Sequence, residues 1–94
     1  MNGYHVNWPP RVRDRLLEFI VQTLAGSGRE TAELNRALTI VEDLLSRRPT
    51  AAGESRAGDD RVITEPPLAV EYRVNQTDRE VTVIRVSYSR GRRS

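Results

Sequence analysis

The stretch 53–74, GESRAGDDRVITEPPLAVEYRV, sets arginines and carboxylates into two short apolar runs joined by Pro66 and Pro67. Arginine presents a planar, permanently charged fork that matches phosphate or carboxylate. The stretch therefore reads in two ways, as a grip on a phosphate backbone or as the solvated surface of a small sheet. All 15 lysine-or-arginine positions are arginine. A GC-rich genome accounts for that bias as readily as phosphate chemistry does. The chain has no cysteine, and His5 is its one histidine, so neither disulfides nor a thiolate or histidine metal site is available and no cofactor is expected. The formal charge is +2, and the end of the chain, SRGRRS (89–94), holds Arg90, Arg92 and Arg93 with no acid, so the remainder carries −1. A balanced body argues against a broad basic face for nucleic acid and leaves only a local phosphate site open.

The elements that must position these arginines follow from apolar spacing. At 94 residues the chain is one domain, taken as 1–88, with 89–94 a basic, mobile tail. With 37% apolar and 30% charged residues it suits a globular chain rather than a disordered one. No apolar run nears the roughly 20 residues of a membrane span, and no signal-peptide core is present, so a cytoplasmic location is expected. Tyr4, Val6 and Trp8 alternate with His5 and Asn7 as in a half-buried strand, which leaves His5 on its polar face with no role. Pro9 and Pro10 suit the first turn of a helix, because a missing N–H costs nothing there. Val12, Leu16, Ile20 and Leu24, with Leu17 and Val21, trace a helical stripe that GSG (26–28) ends. Ser27 and Glu30 read as a capping box for a second helix. Its stripe is Leu34, Leu38, Val41, Leu44 and Leu45, Asp43 and Arg47 are spaced as an i,i+4 pair, and Pro49 closes it.

TAAGESRAGDD (50–60) reads as a loop in which Glu54 and Arg56 are surface decoration. Strand-like runs follow at 61–65, 68–74 and 81–87, with NQTD (75–78) as a hairpin turn. VTVIRV (81–86) is apolar on both faces, the mark of an interior strand. The expected fold is α+β: an N-terminal strand, then an antiparallel two-helix hairpin packed on a mostly antiparallel sheet of about four strands. Val6, Leu16, Ile20, Leu38, Val41, Val70, Tyr72 and Val83 are expected to share one core.

This order of motifs, a helical hairpin followed by GDDR (58–61), VEYRV (70–74) and VTVIRVSYSRGRR (81–93), resembles the RelE/ParE superfamily of toxins from type II toxin–antitoxin operons. The resemblance implies the same fold, a cognate antitoxin protein as partner and no membrane. It also implies one of two activities: ribosome-dependent mRNA cleavage, as an endoribonuclease, or inhibition of DNA gyrase without RNA cleavage. A catalytically inactive protein-binding module on the same fold is the alternative.

For the nuclease activity the resemblance points to Arg61, Arg85 and Tyr88 as catalytic residues and to Arg90, Arg92 and Arg93 as RNA or phosphate contacts. Arginine can stabilise the phosphorane but cannot act as the base, so Tyr88 would need its pKa lowered by nearby cations. The lysines of nuclease relatives are absent, and no apolar C-terminal helix follows Tyr88. Each residue also has a structural reading. Arg61 would pair with Asp59, Glu65 or Glu71, Arg85 with Glu71 or Glu80, and Tyr88 would cover the sheet end.

Overall fold

Pro9 caps and Pro10 opens helix α1 (Pro10–Leu24), directly after the short strand β1 (His5–Asn7), in a computed structural model that describes residues 3–89. The link 25–27 returns the chain into α2 (Gly28–Arg47), where the Ser27 Oγ accepts from the Glu30 amide at 3.2 Å. Only this half of the capping box forms, because Glu30 Oε1 finds no donor among the described residues. Arg47 and Asp43 make the expected ion pair at 3.2 Å. Pro49 ends α2 but also begins a single turn, α3 (Pro49–Ala52), and a two-residue strand β2 (Glu54–Ser55) follows. Both lie where the sequence reads as plain loop. Strands β3 (Asp60–Glu65), β4 (Leu68–Asn75) and β5 (Glu80–Tyr88) complete the chain.

The sheet has five strands in the order β1-β5-β4-β3-β2, one more than the sequence indicates, the extra strand being β2. Only β1 and β5 run parallel. β5 lies between β1 and β4, which explains why both its faces are apolar. The 75–78 turn is closed by the Asp78 amide, which donates to Asn75 Oδ1 at 3.0 Å.

The helices pack on one face of the sheet, α1 over β5 and α2 over β4, β3 and β1. Leu16, Val41, Val70, Tyr72 and Val83 lie in the core, with Val6, Ile20 and Leu38 half-buried against it. The α1 stripe needs correction. Its buried line is Val12, Leu16, Phe19 and Thr23, whereas Leu17, Val21 and Leu24 face outward at 51%, 64% and 66% exposure. No helix among the described residues is long and apolar enough to cross a membrane. Arg90, Arg92 and Arg93 lie outside the described residues.

Candidate functional site

Arg61 sits opposite Tyr72 in the β3–β4 register, and cross-strand partners point to the same side of a sheet. Tyr72 is fully buried beneath the helices, so Arg61 belongs to the helix face rather than the outward one. Its Nη2 donates to the Gly53 carbonyl at 2.6 Å. Its Nε is shielded and has no acceptor among the described residues. None of the expected ion pairs with Asp59, Glu65 or Glu71 forms among the described residues.

The Tyr72 hydroxyl donates to the Pro49 carbonyl at 2.7 Å. Burial raises its pKa above the usual tyrosine value, and the Arg61 guanidinium and Gly53 backbone oppose that rise. Gly53 leaves room for this contact. A Cβ there would stand 2.5 Å from the Tyr72 hydroxyl oxygen and 2.6 Å from the Val62 carbonyl oxygen. Arg61, Tyr72, Gly53 and Pro49 thus form one closed polar cluster that ties α3 and β2 to the sheet. Spacing alone misses it, because Gly53 and Pro49 fall in a stretch that reads as loop. The apolar stripe of β4 identifies Tyr72 only as core.

Arg85 takes the other face. The register between β4 and β5 slips between Glu71 and Tyr72: Glu71 opposes Arg85, and Tyr72 already opposes Val83. The extra residue, Ile84, makes a β-bulge, the device that re-aims side chains along a strand. Val81, Val83 and Val86 are buried, whereas strict alternation from Val83 would have turned Arg85 inward. The exposed Arg85 side chain reaches Glu71 at 3.9 Å, which matches the structural expectation for it. Arg73 and Asp60 lie on the same outward face, with Nε to Oδ1 at 2.7 Å, and Asp60 raises the Arg73 pKa further.

Tyr88 opposes Leu68 and stacks on Phe19 of α1, ring centroids 5.4 Å apart, and so covers the sheet end on the helix face. Along β4 the positions opposite Arg61 and Tyr88 are four residues apart, roughly 13 Å at strand rise. Arg61, Arg85 and Tyr88 therefore do not meet around one phosphate. Two lie on the helix face at separate places, and the third lies on the outward face. Tyr72 is the one tyrosine held beside Arg61, and it is sealed from solvent with a raised pKa, the opposite of what a general base requires. No cluster of three or more metal-ligating side chains occurs among the described residues.

No protein-family model matches the chain, and no curated protein matches it in sequence. Solved structures do match in shape. A chain of the chromosomal ParDE toxin–antitoxin system from P. aeruginosa superposes with a TM-score of 0.72 at 16% identity, over 96% of this chain and 100% of that one. The toxin–antitoxin complex RelBE2 from Mycobacterium tuberculosis gives 0.63 at 22% identity, over 92% and 98%. The archaeal RelE–RelB complex from Pyrococcus horikoshii gives 0.60 at 20% identity, over 99% and 100%. At these identities the likeness establishes the fold, which is the α+β fold of the RelE/ParE toxins.

Proposed function

We propose that this chain, which carries the RelE/ParE fold, is the toxin component of a type II toxin–antitoxin pair. In this reading a cognate antitoxin protein holds it, and it restrains growth in the cytoplasm by binding a protein target, as ParE-like members bind gyrase, rather than by cutting mRNA. One observation carries the choice between the two activities: Arg61, Arg85 and Tyr88 are spread over two faces of the sheet, with Arg61 engaged by the Gly53 carbonyl. Arg61 then serves packing, and Arg85 is an exposed cation of the outward face.

The test is inducible expression in cells, with and without the product of the acidic reading frame expected beside this gene. Slowed growth that the neighbour's product relieves is the expected result. No effect on growth would leave a protein-binding module that kept the fold and lost toxicity, and would overturn the proposal.

A further inference from the structure

β3 ends and β4 begins at the turn of Pro66 and Pro67. The Ser89 amide donates to the Pro67 carbonyl at 2.8 Å, which carries the β4–β5 ladder one step past Leu68 and Tyr88. A cleft of about 300 Å³ opens there. It is lined in part by Glu33 and Arg36 of α2, by Glu65, Pro66 and Pro67 at the turn, and by Ser89. None of Glu33, Arg36 and Glu65 makes an ion pair among the described residues. Two carboxylates thus share the cleft with one guanidinium, and it is short of positive charge.

The segment that follows Ser89 has that charge. Residues 90–94 read RGRRS, three arginines without an acid, whereas the rest of the chain carries a formal −1. At about 3.3–3.6 Å per extended residue, five residues reach roughly 17 Å, enough to turn back into a cleft that Ser89 itself lines. Attachment at Ser89 makes the encounter intramolecular, at an effective concentration on the order of millimolar. Ion pairs that are weak one by one can then act together.

We infer that this cleft holds the chain's own segment 90–94, with its guanidinium groups set against Glu33 and Glu65 and with Arg36 as the cation they work against. So held, Arg90, Arg92 and Arg93 are answered by carboxylates of the same chain and are not free to gather a phosphate. Nothing in this depends on the toxin–antitoxin reading.

Trypsin cuts after arginine, so the rate of cleavage after Arg90 in the full chain, followed by mass spectrometry, reports whether the segment is held. The free peptide SYSRGRRS (87–94) is the reference in each buffer. At low ionic strength the protein should be cut at least about twofold more slowly than the peptide. Glu33→Gln combined with Glu65→Gln should bring the two rates together while the thermal transition stays in place. Arg36→Gln removes the competing cation and should slow cleavage further, which a loss of packing would not do. Salt at 1 M, where the Debye length is about 3 Å, should erase the difference in wild type without any substitution. Equal rates for wild type and peptide at low salt, or protection that neither salt nor the glutamate variants lift, would overturn the inference. Protection that rises with protein concentration would assign the cleft to the segment of a second copy and overturn it as well.

Discussion

Gly53 has room for a hydrogen and for nothing larger, since a Cβ would press on the Tyr72 hydroxyl and the Val62 carbonyl. Gly53→Ala should therefore cost about 1–3 kcal/mol as the backbone shifts, read as a lower urea midpoint. Tyr72 carries a second consequence. The chain has no lysine or cysteine to titrate in the same alkaline range. The folded-state pKa of Tyr72 is raised, so the stability from burying the neutral phenol is fully present below the unfolded value near 10 and is lost as pH rises through the folded value. Urea midpoints should hold steady to about pH 9 and fall above pH 10. Tyr72→Phe should flatten that fall, at the cost of leaving the Pro49 carbonyl without its donor. The sequence revealed Tyr72 as core and Arg61 as a strand arginine, but not that they share a cluster. That depends on Gly53 approaching without a side chain, and no local pattern announces such an approach.

At the scale of elements, α1 shows how a helical period can locate a helix and still mistake its buried side. Apolar residues occupy so much of its circumference that Leu17, Val21 and Leu24 look as inward as Val12 and Leu16. The buried line is decided instead by Phe19, which the apolar stripe passes over and which stacks on Tyr88 across the sheet end. Phe19→Ala should destabilise the fold by about 3–5 kcal/mol. Leu17→Ala should stay within about 0.5 kcal/mol, as expected of an exposed position. Chemical denaturation of the two variants side by side checks both. The β5 bulge was likewise invisible. VTVIRV reads correctly as an interior strand, yet only the register with β4 shows that Ile84 is the extra residue and that Arg85 turns outward because of it. Helices, strands and order were legible because their periods are local, whereas α3 and β2 owe their form to the cluster around Tyr72.

Across the whole molecule, a body of near-zero net charge, a RelE/ParE fold and arginines tied to neighbouring groups point the same way. Arg73 is held by Asp60, Arg85 lies near Glu71, and Arg61 donates to a backbone carbonyl. Cations so engaged, on two faces, favour a surface that proteins bind over one that gathers phosphate charge in a transition state. The proposed activity is growth inhibition without RNA cleavage by this chain. Mapping the 5′ ends of cellular messages after induction without antitoxin tests it most directly, with wild type beside Arg61→Ala and Arg85→Ala. Wild type should slow growth with no new message ends. Fresh ends at ribosome-occupied codons in wild type, reduced about a hundred- to a thousand-fold in Arg61→Ala while that variant stays folded, would contradict it.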